Sequence, residues 1–439
     1  GIKNAICGKG KFGIEHINDK NRILEPKMKI NGKHEAVSFD VSLFEISKRL
    51  RSIQNLYGEN QIAFVVSPKL TNEELANVKA VAKELGTELT GSFLIEKESG
   101  IEAVLGKNKS TAAFSELESA DLIISAGQVY EQHPSLGIML KKIAQKTKIM
   151  SACLLPTRMN DWSQRSQLDN YEIFFAGMLK ALIEKGAIKE EVLNRFSNIN
   201  ELRKALADIE ITKSMESAAE AYKNAKKPII VADENTVQNE ALKVLANITV
   251  LTGNDNKPHR GLIVTKPKCN SQGAWDIGFR TSREEITEAL EKGSIKGLVV
   301  IGEDILGCNP ELKEAVKKLK LFVVFDILES NTTAEAEFVV PMCSIAESKG
   351  TMVSADNTVK EVKEAFEPLT GKSNLQMLEY IGELLNTKAE TTEVSEEIKE
   401  TEKALYIPAL NSKEKVYRIY DTVEKEYIRK LKENCVKVQ

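Results

Sequence analysis

Short β-branched runs alternate along this chain with stretches whose apolar residues recur every three or four positions. Leu43, Ile46, Leu50 and Ile53 fall on one face of a helix. The unbroken apolar run Ile62-Ala63-Phe64-Val65-Val66 follows and reads as a buried strand. Thr71-Asn72-Glu73-Glu74 then has the form of a capping box, a hydroxyl for the third helical amide and a carboxylate reaching back. The helix it opens places Leu75, Val78, Ala82 and Leu85 inward, and Gly86 suits the left-handed position after its end. The unit recurs. Leu122-Ile123-Ile124 is a strand, Gly127 to His133 a loop, and Pro134 the first turn of a helix with Leu136, Met139, Leu140 and Ile143 on one face. Further strands are expected at 148–150, 228–231, 298–301, 322–325 and 338–340, about eight in all, in two sheets. Strands alternating with helices imply mostly parallel sheets covered on both faces.

Composition narrows the function classes. The 439 residues suffice for two or more domains with cores of their own. Apolar content of 42% and charged content of 28% are ordinary for a globular protein. A net charge of −3, from 61 basic and 64 acidic residues, gives no electrostatic reason to expect nucleic acid or an anionic membrane. No apolar run reaches the roughly 20 residues of a membrane-spanning helix. No secretory signal pattern opens the chain, which begins on Gly1 in mid-motif and reads as a piece of a longer polypeptide. The cysteines at 7, 153, 269, 308, 343 and 435 form no C-x-x-C pair, so a reduced cytoplasmic setting is expected. Cys153, Cys269, Cys308 and Cys343 are expected to be small, partly buried apolar residues. Between Asn386 and Lys403, Glu, Thr, Lys and Ser dominate, the composition of a linker. Beyond it, Val416, Ile419, Tyr420, Val423 and Tyr427 form a helical stripe that either packs back on this chain or docks a partner.

Four segments carry more specific information: Cys7-Gly8-Lys9-Gly10-Lys11-Phe12-Gly13; Leu251-Thr252-Gly253-Asn254 through Lys257-Pro258-His259; Asn270-Ser271-Gln272-Gly273-Ala274-Trp275-Asp276-Ile277-Gly278; and Ile301-Gly302-Glu303-Asp304. In this order the chain resembles the molybdopterin oxidoreductases, among them the catalytic subunit of formate dehydrogenase and its relative among the subunits of NADH-quinone oxidoreductase. The resemblance implies an α/β fold of two interleaved, doubly wound, mostly parallel-sheet domains. One would comprise residues 36–91 and 268–385, and the other, inserted, residues 92–267. Residues 1–35 would lead in from an iron–sulfur domain, 386–404 would be the charged linker and 405–439 the amphipathic end. The chain as given leaves no room for the β-barrel that closes over the pterin in full-length formate dehydrogenases.

The resemblance also assigns site residues. Cys7 corresponds to the last of four thiolates around a [4Fe–4S] cluster, with its other ligands outside this chain, and Lys9 to the lysine between cluster and pterin. The alternative for Cys7 is a thiol with no cluster. Gly127 and His133 lie in the loop that meets the guanosine end of molybdopterin guanine dinucleotide; His133 could equally make a structural hydrogen bond at a helix start. Asn270, Gln272, Gly273 and Asp276 belong to a segment that could line a polar cleft. Gly302 and Glu303 belong to a loop that faces the cofactor, although Glu303 and Asp304 would also suit a helix N-terminus.

Three departures bear on chemistry. Cys153-Leu154-Leu155-Pro156-Thr157-Arg158 stands where relatives end a strand in Asp-Pro-Arg, and Lys266-Pro267-Lys268 where they have Arg-Gly-Gln. The lysines retain positive charge for an anionic ligand. Where active enzymes carry a metal-binding Cys, selenocysteine or Ser, the chain reads Thr90-Gly91-Ser92-Phe93-Leu94-Ile95-Glu96, with no Cys or His from 35 to 132. Ser92 is the only small nucleophile near that point, and no catalytic residue is assigned. The expectation is a degenerate redox subunit beside an iron–sulfur subunit and a flavin- or NAD(P)H-handling subunit, in an NAD(P)H- or ferredoxin-linked complex. The alternatives are an active pterin-binding, formate-oxidising domain and a non-redox assembly scaffold.

Overall fold

The computed structural model of the chain describes residues 7–94, 99–387 and 404–410. Most of the linker expected at 386–404 and of the amphipathic end expected at 405–439, including its stripe from Val416 to Tyr427, lies outside these residues, as does Cys435. Fourteen strands occur among the described residues. They are β1 (Lys27–Ile30), β2 (Lys33–Ala36), β3 (Ile62–Val66), β4 (Thr90–Gly91), β5 (Leu122–Ala126), β6 (Lys148–Ala152), β7 (Gln164–Ser166), β8 (Pro228–Asp233), β9 (Gly261–Thr265), β10 (Gly297–Ile301), β11 (Leu321–Asp326), β12 (Phe338–Pro341), β13 (Gly350–Val353) and β14 (Val359–Val362). A seven-stranded sheet has the order β2-β1-β12-β11-β10-β3-β4, and a five-stranded sheet the order β7-β6-β5-β8-β9. The second sheet is parallel throughout, and the first is parallel from β12 to β4. All strands of the second sheet fall between β4 and β10 in the chain.

Each of the seven apolar runs read from the sequence forms a strand. The count of about eight falls short of fourteen because the remainder are short, polar or edge strands. β1 lies within residues 1–35, expected to lead in from an iron–sulfur domain, and β2 ends one residue beyond them. They form an antiparallel hairpin that joins the first sheet through Lys27↔Val339 and Met28↔Phe338. β1 alternates polar and apolar residues, with Met28 packed on the core, while Lys33, His34 and Glu35 leave the outer strand polar, as suits an edge that must resist further pairing.

Both sheets bury both faces. Phe64 and Val66 of β3 join one core and Ala63 and Val65 the opposite one. Ile124 of β5 packs with Phe174 and Leu245, and Ile123 with Leu140 and Ile229. Successive side chains of a strand point to opposite faces, so a doubly covered strand is apolar at every position. The capping box is present: Thr71 Oγ1 accepts from Glu74 N at 3.3 Å, and Glu74 Oε2 accepts from Thr71 N at 2.8 Å. Burial raises the Glu74 carboxyl above its ordinary range despite the bonds from Thr71 and Asn374. Gly86, with φ +66°, follows the helix Asn72–Glu84 in the left-handed conformation.

The β13–β14 hairpin ties the two sheets together. At its base Glu73 accepts from Thr351 N and Thr351 Oγ1, both at 2.8 Å. At its tip Ser110 Oγ donates to Ala355 O at 2.6 Å, Asn357 Nδ2 donates to Ser110 O at 2.8 Å, and Phe114 N donates to Asp356 Oδ2 at 3.0 Å. Burial pushes the Asp356 carboxyl up, but bonds from Ser354, Phe114 and Thr358 outweigh it and hold it below its ordinary value. A depressed folded pKa stabilises above the usual carboxylate range and is lost as pH falls through it. Asp356→Ala is therefore expected to cost about 1.5–3 kcal/mol at neutral pH, and less in acid, in urea unfolding at the two pH values.

Candidate functional site

The C-terminal ends of parallel strands are where open α/β sheets place ligands. In the first sheet these ends bring Ser92, just past β4, against Glu303, just past β10. Ser92 is 0% exposed and Glu303 1%. Ser92 Oγ donates to Glu303 Oε1 at 2.5 Å, and Phe93 N donates to Glu303 Oε2 at 3.2 Å. Ser92 Oγ also accepts from Leu94 N at 3.2 Å. Gly302, before Glu303, has φ +76°, and a Cβ there would lie 3.0 Å from Ser67 Cβ. Glycine thus lets the strand turn sharply enough to present Glu303 to Ser92. Asp304 follows the other reading made for this loop. Its Oδ1 caps the short helix Ile305–Cys308 through Gly307 N at 3.0 Å and accepts from Thr332 Oγ1 at 2.7 Å.

Asn270 to Gly278 forms a short helix, Ser271–Ile277, closed by Gly278 in the left-handed conformation. Asn270 is a cross-link. Its Nδ2 donates to Leu70 O at 2.7 Å and Asn72 Oδ1 at 3.0 Å, and its Oδ1 accepts from Val353 N at 2.7 Å. The space beside Gly273 is filled by Asn270 Oδ1 and Asn72 Oδ1, so this glycine serves an internal approach. Gln272 Nε2 donates to Asp276 Oδ1 at 2.8 Å. Gln272 Oε1 and Trp275 Nε1 are buried without hydrogen-bond partners. Nearby, Lys79 Nζ donates to Thr90 Oγ1 at 2.7 Å and Gly278 O at 3.1 Å, at a cavity of about 740 Å³ that Glu88 and Arg280 also line. Burial lowers the Lys79 ammonium pKa.

In the second sheet Gly127, with φ +82°, leaves β5 under Thr236 and Val237, whose side chains would meet a Cβ at 2.5 and 2.8 Å. His133 precedes the helix Pro134–Ile143, and its Nε2 lies 3.2 Å from Oδ1 of the fully buried Asp233. That is the structural hydrogen bond considered for it. Asp233 also accepts from Thr236 Oγ1 at 2.6 Å. Sequence reading missed this carboxylate, although an Asp ending an apolar strand was a visible signal. Gln128 Nε2 donates to Cys153 Sγ at 3.3 Å, and burial raises the Cys153 thiol pKa. The charge of Lys266 is compensated: its buried Nζ lies 2.9 Å from Glu234 Oε2 and donates to Asn108 Oδ1 at 2.9 Å.

Cys7 precedes the helix Gly8–Phe12 and accepts from Lys11 N through its carbonyl. It forms no disulfide with another described cysteine, and the side chain of Lys9 lies outside the described part. Cys153 and Cys343 are buried as expected and Cys308 is partly so, but Cys269 is exposed, in the loop ahead of Asn270. Burial pushes the Cys343 thiol up to about 11. No helix among the described residues is long and apolar enough to cross a membrane.

Two mostly parallel sheets, the second threaded between strands of the first, define an α/β protein with its polar loops at the strand ends. The chain belongs to the molybdopterin oxidoreductase family, whose family model matches residues 22–384. It is 25% identical over 430 residues to a putative formate dehydrogenase, YrhE, of Bacillus subtilis, covering 83% of this chain and 44% of that protein. It is 24% identical to formate dehydrogenase H of Escherichia coli, covering 83% of this chain and 61% of that protein. The fold matches acetylene hydratase from Pelobacter acetylenicus with a TM-score of 0.70 at 14% identity, over 87% of this chain and 64% of that chain. The chain thus spans less than half the length of the Bacillus relative.

The family implies a molybdopterin cofactor. The side chains assigned to it do not fit the metal as they are arranged. Ser92 Oγ donates a hydrogen bond to Glu303 Oε1 and accepts one from Leu94 N, so it is engaged within the protein. Asn270, Gly127, Gly273 and Gly302 are taken up by internal packing, while Gln272 Oε1 and Trp275 Nε1 are buried without hydrogen-bond partners.

Proposed function

We propose that this chain is a subunit of a multi-component electron-transfer complex handling NAD(P)H or ferredoxin, and that it carries out no molybdenum chemistry of its own. The Ser92–Glu303 contact is the observation that supports this reading. The hydroxyl donates to Glu303 Oε1 and accepts from Leu94 N, so its proton and one of its lone pairs are already engaged within the protein. Taking Glu303 away from Ser92 and Phe93 would leave a buried hydroxyl and amide unpaired, so the closed arrangement is self-reinforcing. The sheet strands support domain boundaries near those of the family, with the first domain extended to β1. The Cys7 end would dock an iron–sulfur domain or subunit, and a flavin- or NAD(P)H-handling subunit would complete the complex in the cytoplasm.

Elemental analysis of the purified complex tests the reading: molybdenum and tungsten are expected far below stoichiometric amounts, and either metal at one atom per chain overturns it. A second reading, an active formate-oxidising domain, has the unpartnered Gln272 Oε1 and Trp275 Nε1 in its favour. It requires a pterin released on acid denaturation together with formate-dependent dye reduction. If the chain is only a scaffold, Cys7→Ala leaves both iron content and complex activity unchanged.

A further inference from the structure

Beyond residue 387 the described chain resumes at Ala404–Leu410, without helix or strand, and lies on the helices that cover the second sheet. Three helices meet there: Tyr171–Glu184, Ile199–Ala207 and Asn239–Leu251. Asn198, at the start of the second, donates from Nδ2 to Leu405 O at 2.7 Å, and Leu405 N donates back to its Oδ1 at 3.3 Å. Asn247, in the third, repeats the arrangement one residue on. Its Nδ2 donates to Tyr406 O at 2.7 Å, and Tyr406 N donates to its Oδ1 at 3.0 Å. A carboxamide carries one donor edge and one acceptor, so each asparagine pairs with both backbone groups of one residue, as a neighbouring strand would.

Glu172 supplies a third anchor. Its Oε1 accepts from Tyr406 Oη at 2.9 Å and from Ala409 N at 3.0 Å. The Lys243 ammonium lies 5.2 Å from the centre of the Tyr406 ring. Leu405 is buried, and Ile407 and Leu410 pack against the core that holds Phe174 and Leu245. Pro408 is buried, has no N–H to satisfy and disfavours a helix. Asn247 and Glu172 are both 0% exposed among apolar helix positions. Buried polar groups in such surroundings are costly unless paired, and both hydrogen bonds of the Asn247 amide go to Tyr406.

We propose that this face is a recognition groove for an extended peptide of the pattern Leu-Tyr-Ile-Pro, and that the chain fills it with its own 404–410 segment as an exchangeable ligand. Side-chain clamps on backbone groups recognise an extended conformation, and the buried Glu172 selects the tyrosine. Attachment to the same chain raises the segment's effective concentration, so the groove stays filled against free competitors.

Binding of a labelled peptide of residues 404–410 to the full chain tests this. Leu405→Asp with Tyr406→Ala disables the resident segment, and that variant is expected to bind the peptide at least about tenfold more tightly than the wild-type chain. Adding Asn247→Ala removes two hydrogen bonds and is expected to weaken peptide binding about tenfold or more. A folded, segment-disabled chain that binds the peptide no better than wild type overturns the proposal, as does binding indifferent to Asn247→Ala. Loss of the fold in the disabled variant overturns it as well, because the segment would then be part of the core.

Discussion

Glu347→Ala is expected to destabilise the protein by about 3–5 kcal/mol, the loss typical of removing one partner from a buried ion pair. Arg22 and Glu347 are almost wholly buried, and Arg22 Nη2 reaches both carboxylate oxygens, at 2.7 and 2.5 Å. The same carboxylate accepts from Ser344 N, Ser344 Oγ and Leu369 N at 2.7–2.8 Å. Its loss would leave a guanidinium and two amides without their acceptor and release the segment before β1. Burial pushes this carboxyl up, but Arg22 and the amides together hold it below its ordinary value of 4.5. Its contribution is therefore present above that value and is lost as pH falls through the depressed one. Urea unfolding should show stability declining less through this acid range in the variant than in the wild type. A variant as stable as wild type at neutral pH would show that the pair contributes nothing.

Glu303→Ala is the second large effect. The acceptor shared by Ser92 Oγ and Phe93 N is removed from a site with almost no solvent access. Two stranded donors imply a loss of about 2–4 kcal/mol. Glu303→Gln keeps the shape and one acceptor but sets an NH2 against one of the two donors, so an intermediate loss is expected. Denaturant melts of the three proteins give the comparison. A change within about 0.5 kcal/mol for Glu303→Ala, the range of neutral surface substitutions, would mean that the contact does not hold the two strand ends together.

Much of the fold was legible in the order of residues alone. β3, β5, β8, β10, β11 and β12 declare themselves because a strand covered on both faces must be apolar at consecutive positions. β9, Gly261-Leu262-Ile263-Val264-Thr265, carries the same signal and belonged with them. Thr71 and Glu74 were legible because a cap joins residues three apart. β1 and β2 were not, since β1 shows only two alternations in four residues and β2 is polar almost throughout. The hairpin β13–β14 and the short β4 and β7 gave too few residues for a period.

The sequence by itself determined the family, the alternation of strand and helix, the helix starts and the absence of a cysteine or histidine near Ser92. These are properties of neighbouring residues or of ordered motifs. The tertiary structure alone decided what each polar side chain does. Ser92 meets a carboxylate 211 positions away, His133 one 100 positions away, Asn270 a loop about 200 positions away, and Tyr406 a buried glutamate 234 positions away. Such partners are fixed only when the strand order of each sheet is set, because hydrogen bonding demands contact in space and is indifferent to distance along the chain.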